Sequence, residues 1–174
     1  MEWAAGLIGV VVGSGVTAGV AYLERHWRRK DVRAAEKRAR LEEEFKSVRR
    51  YAAGLQQFVH DAVMWMKVWE AIRAVEGVEP SRQLVQKRLQ DRWNEVEKLE
   101  PQPGPWFMLP DMRVKAALQG LQIRARLCQS RCEGALEAKN IMSYEDANRF
   151  AAEADENLNK MLECMEEALQ QVEG

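Results

Sequence analysis

Residues 3 to 23 of this 174-residue chain run from Trp3 to Leu23 without a charge. As a helix, 21 such residues span about 31 Å, the thickness of the hydrocarbon core of a bilayer. A buried helix of a soluble core is the alternative, but such a helix rarely runs this long without one polar face, and this run has none. Trp3 stands at one edge, and Tyr22 and Trp27 stand near the other, where amphipathic rings prefer the headgroup level. Gly19-Val20-Ala21 resembles a signal cleavage site. However, a signal peptide needs positive charge ahead of its apolar region, and Glu2 is the only charge there. The cations follow the run instead, at Arg25, Arg28, Arg29, Lys30 and Arg33. Lys and Arg beside a span are retained in the cytoplasm. The run predicts a single-pass anchor over 1–24, with the N-terminus outside and the remainder cytoplasmic.

Small residues punctuate the anchor. Ala5, Gly9, Gly13 and Thr17 recur every fourth residue, and Gly15 and Gly19 form a second pair. Such spacing lets two helix backbones approach closely in lipid, so these six residues are candidates for packing of the membrane helix and for homo-oligomer formation. Residues 25–40 hold eight Lys or Arg against two acids. They predict a basic juxtamembrane stalk able to touch anionic headgroups.

From residue 41 the pattern becomes regular. Leu41, Phe45, Val48, Ala52, Leu55, Val59, Ala62, Met66 and Trp69 are spaced alternately four and three apart. A flanking stripe of Tyr51, Phe58, Trp65 and Ile72 widens the apolar face to the width of a bundle helix. Glu76-Gly77-Val78-Glu79-Pro80 reads as a stop, with Ser81 as a fresh N-cap. Val85, Leu89, Trp93, Val96 and Leu99 mark a second helix. Val114, Leu118, Leu121, Ala125, Cys128, Cys132 and Ala135 mark a third, with Asp111 as its N-cap. Ser143 and Asp146 resemble a capping box before a fourth stripe running from Tyr144 through Ala147, Ala151, Ala154, Leu158, Met161, Met165 and Ala168 to Val172. The expected fold is all-α. A transmembrane helix continues into a stalk and an antiparallel up-down four-helix bundle over 41–174, with helices at about 41–75, 81–99, 111–139 and 143–173.

Four prolines in residues 101–110 forbid helix there. Trp106, Phe107, Met108 and Leu109 are consecutive and cannot all face one core, so they are a candidate partner-binding loop, with folding over the end of the short helix as the alternative. The last 32 residues carry nine acids against Arg149 and Lys160, a solvated face or a surface for a basic partner.

Chemistry-bearing motifs are absent from the sequence. There is no phosphate-binding glycine loop, no nucleophile–base pair and no metal-ligand spacing. Cys128 and Cys132 fall on an apolar stripe where small buried residues belong, and Cys-x3-Cys is not a zinc spacing. No catalytic residue, cofactor or metal is expected, and beyond Trp27 the basic stretch lacks the interleaved aromatics of a nucleic-acid binder.

The opening thirty residues carry a resemblance. Met1, Trp3, Leu7, Ile8, Gly9, Val11, Val12 and Gly13, followed by the basic stretch, are similar to the start of bacterial inner-membrane proteins of the YhcB (ZapG) type. The resemblance implies a membrane-anchored scaffold linked to cell division and envelope growth, and it does not extend past the stalk. The expected function is a non-catalytic scaffold or adaptor binding the bilayer and a protein partner. The alternative is an oligomerising protein whose glycine-faced helix perturbs the bilayer.

Overall fold

A computed structural model describes the backbone over residues 2–101, 111–138 and 142–173, and side chains from residue 22 onward except at 23, 70, 74, 78, 144 and 173. Among the described residues all regular secondary structure is helical, with four helices and no strand. These are α1 (Glu2–Glu76), α2 (Val78–Glu97), α3 (Met112–Glu137) and α4 (Tyr144–Glu173). The proline segment over 102–110, with Trp106, Phe107, Met108 and Leu109, lies outside the described residues.

α1 is one uninterrupted helix of 75 residues, about 110 Å at 1.5 Å per residue. Its second half carries the core. Phe45, Val48, Ala52, Leu55, Val59, Ala62, Met66 and Trp69 are all buried, and Phe58 joins them. The spacing that marked them in the sequence follows from 3.6 residues per turn, which returns positions three and four apart to one face. The three shorter helices supply the other walls of a shared core: Val85, Leu89 and Val96 from α2, Leu118, Leu121 and Leu136 from α3, and Met161 and Met165 from α4.

Pairs of contacting residues fix the directions. Asp61 meets Arg92, and Trp65 lies under Arg88, so α1 and α2 run opposite ways. Gln56 meets Asp155 and Lys67 meets Asn148, which makes α4 antiparallel to α1. Arg113 meets Glu167 and Arg124 meets Glu153, which makes α3 antiparallel to α4. α2 lies mainly on α1 and barely touches α3. α1 and α2 also approach closely where residue 54 is glycine, for a Cβ there would sit 2.9 Å from Leu99 Cδ1.

The junction between α1 and α2 differs from the sequence expectation. The connector is Gly77 alone, at φ 88° and ψ 165°, a backbone conformation open essentially to glycine. α2 begins at Val78, and Ser81 is not an N-cap. It is a fully buried residue of the first turn whose hydroxyl donates to the Gly77 carbonyl at 2.6 Å. Pro80 is tolerated because the first N–H groups of a helix have no intrahelical acceptor to lose. The sequence reading placed the proline outside the helix for want of this geometry.

The other caps follow the sequence. Asp111 is extended and accepts from the Arg113 N–H at 2.8 Å. Ser143 Oγ accepts from the Asp146 N–H at 3.0 Å. In α3 the inward position at the C-terminal end is Leu136 rather than Ala135, which is half-buried.

Candidate functional site

The stalk residues Arg25, Arg28, Arg29, Lys30 and Arg33 are all exposed on the helical surface of α1. Their local pairing divides them. Arg28 donates to Glu24 at 2.9 Å, and further along Arg38 meets Glu42 at 2.8 Å and Arg40 meets Glu44 at 3.1 Å. These are pairs one turn apart on one helix, and each stabilises by only a few tenths of a kcal/mol. Among the described residues, Arg25, Arg29, Lys30, Arg33 and Lys37 have no carboxylate within ion-pairing distance.

Aromatic rings stand at the foot of this stretch. Tyr22 is 71% exposed and Trp27 60% exposed. The Lys30 ammonium lies over the Trp27 ring, 5.6 Å from its centroid. The Tyr22 and His26 rings are stacked with centroids 6.4 Å apart. Large rings and free cations on one exposed helical segment make a surface suited to anions and to a polar–apolar boundary.

The inward face continues past the core. Residues 48, 45, 41, 37, 34 and 30 lie on one face of α1 by their spacing. Val48 and Phe45 are buried, Leu41 and Ala34 are half-buried, and Lys37 and Lys30 are exposed. Beside them lies the C-terminal end of α4. Lys30, Arg33, Ala34 and Lys37 with Gln171 and Val172 line a groove of about 370 Å³. Sequence reading stopped the stripe at Leu41, where apolar residues end. Extending the same spacing upstream would have placed these cations on the inward side.

Two polar clusters within the bundle were missed altogether. Asp155 Oδ1 accepts from Gln56 at 2.6 Å and lies 2.8 Å from His60 Nε2. Partial burial pushes its carboxyl up, but the hydrogen bonds from His60 and Gln56 together outweigh this and hold it below the usual carboxylate range. On the other flank Arg92 bridges Asp61 at 2.8 Å and Glu95 at 2.7 Å. Asp155 with Gln56 and His60, and Arg92 with Asp61, pair residues far apart in sequence, so no local pattern announces them. They tie helix to helix at a defined register.

The cysteines are all free. Cys128 and Cys132 are fully buried on α3, and Cys164 is half-buried on α4. The Cys128 hydrogen bond and burial raise the Cys132 thiol well above its ordinary range, so its nucleophilic thiolate is suppressed. Among the described residues no His, Cys, Asp and Glu cluster is placed to hold a metal ion.

The six small residues Ala5, Gly9, Gly13, Thr17, Gly15 and Gly19 have side-chain positions outside the described residues, as does most of the uncharged run. Among the described residues, no helix is long and apolar enough to cross a membrane. Comparison with known proteins finds no matching family model, curated protein or solved structure.

Proposed function

We propose that the protein is a single-pass, membrane-anchored, non-catalytic scaffold whose helices close as an up-down four-helix bundle on the cytoplasmic side. One observation carries this reading. A single helix, α1, runs without a break from Glu2 through the uncharged stretch and the exposed basic segment into the packed core. A helical run of 21 uncharged residues finds its complement in hydrocarbon. The basic residues after it belong on the cytoplasmic side, and each contributes about 1 kcal/mol against an anionic leaflet. Tyr22 and Trp27, exposed at the foot of the stalk, suit the headgroup level.

The bundle then presents a surface at a set height above the bilayer, which is the task of a scaffold. Its acidic α4 and the Trp106–Leu109 loop are the candidate contacts for a protein partner. The likeness of residues 1–30 to YhcB (ZapG)-type anchors supports a task in envelope growth or division.

The test is membrane fractionation with a C-terminal topology reporter in intact bacterial cells. The expected result is a cytoplasmic reporter signal and a protein that stays with the membrane through high salt and alkaline washing. Recovery of the intact chain in the soluble fraction, or an exported C-terminus, would overturn the proposal.

A further inference from the structure

The groove at the open end of the core joins three features that are each ordinary alone. Lys30, Arg33 and Lys37 recur along one side of α1 over about 10 Å. None has a carboxylate partner among the described residues, although other arginines of the same segment do. Among the described residues lining the groove, the α4 wall opposite offers the Gln171 amide and no basic or acidic side chain. Half-buried Ala34 and Val172 form the apolar part of the lining. Three cations gathered around a cavity of about 370 Å³, a volume in the range of small-ligand sites, form a receptor for a compact polyanion.

We propose that this groove binds a phosphate-bearing anion, with Lys30, Arg33 and Lys37 as the charged contacts and the Gln171 amide as a neutral donor. Arg33 offers the planar fork that matches phosphate oxygens in pairs, and the two lysines act as point charges on either side. The size of Ala34 leaves the space the ligand occupies.

The phosphate has two possible carriers, a lipid headgroup or a soluble organic or inorganic phosphate. On the anchored reading, Lys30 stands about 10 Å and Lys37 about 21 Å beyond Leu23 along the helix. The headgroup layer reaches roughly 5–8 Å past the hydrocarbon. A lipid phosphate therefore meets the Lys30 end of the groove, while a soluble anion reaches its whole length. Only the lipid arm rests on the anchored reading; the groove stands without it. A purely structural role competes with the proposal. The last turn of α4 contains no basic residue, so the stalk cations could serve only to offset the negative end of that helix.

Isothermal titration calorimetry separates these readings, with the full chain in mild non-ionic detergent. The probes are inorganic pyrophosphate, dihexanoyl phosphatidylglycerol, and dihexanoyl phosphatidylcholine as the zwitterionic control. Saturable binding of at least one of the two anionic probes is expected, with none for the control. The K30Q/R33Q/K37Q chain should bind at least tenfold more weakly, with its ligand-free melting temperature unchanged. R25Q/R28Q/R29Q, which removes three charges outside the groove, should change affinity less than twofold.

A34L leaves every charge in place and should weaken binding at least fivefold by filling the groove, which keeps the test decisive if the charge variant folds poorly. Binding confined to the lipid assigns a headgroup, and binding of pyrophosphate assigns a soluble ligand. The proposal is overturned if no anion binds saturably, if the two triple variants lose affinity equally, if A34L binds normally, or if K30Q/R33Q/K37Q loses melting temperature but not affinity. A chain soluble without detergent that still binds pyrophosphate would sink the anchor and leave the groove standing. A membrane-embedded chain with no saturable binding would do the reverse.

Discussion

Phe58→Ala isolates how α2 is held. Phe58 is completely buried, and its ring meets Trp93 of α2 edge to face, with centroids 4.9 Å apart and planes at 71°. Truncating a buried phenylalanine to alanine costs ~3–5 kcal/mol, and an edge-to-face pair accounts for about 0.5–1.5 kcal/mol of such a loss. Against a typical total stability of about 5–15 kcal/mol, this is a large fraction. The consequence should be local before it is global, because α2 rests on α1 and barely touches α3. Besides the aromatic pair it is held on α1 by its buried Val85, Leu89 and Val96, by the partly exposed Asp61–Arg92 pair and by the close approach of Val96 to Gly54. Hydrogen exchange on the full chain in mild detergent should therefore show α2 amides losing protection as one unit, while those of α3 and α4 persist. A double-mutant cycle of Phe58→Leu and Trp93→Leu, read by urea unfolding, should give a coupling of about 0.5–1.5 kcal/mol. A coupling below about 0.3 kcal/mol, within the scatter of independent sites, or simultaneous loss of protection in α2, α3 and α4, would refute this account of the α2 attachment.

Gly77→Ala forces a Cβ onto a backbone at φ 88° and ψ 165° and should destabilise by ~1–3 kcal/mol; an unchanged urea midpoint would show that the connector can adopt another path. Asp155→Asn removes a carboxyl whose acidity is raised by His60 and Gln56. A carboxyl depressed in the folded state adds stability that is present above its unfolded value near 3.9 and is lost as pH falls through the lower folded one. The native chain should thus lose more stability than the variant between about pH 5 and pH 2, and parallel pH profiles would contradict that. With a thiol reagent, Cys164 should react first and Cys128 and Cys132 only on unfolding, since both are fully buried; fast labelling of either in folded protein would show that α3 opens. Asp111→Ala should remove the N-cap of α3, which accepts from Arg113 N–H at 2.8 Å, at ~1 kcal/mol, read as a lowered unfolding midpoint.

The helical stripes were legible because burial on a helix repeats with the helix period, and nothing in α1 between residues 45 and 69 interrupts it. Phe45 through Trp69 stand in the core at the positions their spacing indicates. Small residues gave a weaker signal. Ala135 and Ala151 continue the stripes by spacing, yet both are half-buried. Phe150, off the stripe, is buried in the core, because a large ring reaches inward from a flanking position. The junction at Gly77 was misread because proline and serine have two meanings, breaker and cap in a loop or tolerated residues of a first turn. Only the backbone at Gly77 decides between them. Of the candidate site, the cations were legible as a basic run, but the groove was not. It depends on where α4 ends against α1, a contact between residues about 140 positions apart. The Asp155 and Arg92 clusters were hidden for the same reason.

The long continuous α1 also bears on how the protein is made. Its inward face from Phe45 to Trp69 is complete early in synthesis, but α4, which lies along that face, is the last helix in the chain. Roughly 100 further residues must be added before α4 is whole, which takes about 5–20 s at ordinary elongation rates. Until α3 is made, this face of α1 has only α2 to cover it, joined through the single residue Gly77. The order of helices thus gives the nascent chain an early partner for α1, and leaves the α4 side of the seam as the surface that chaperones or self-association would meet first.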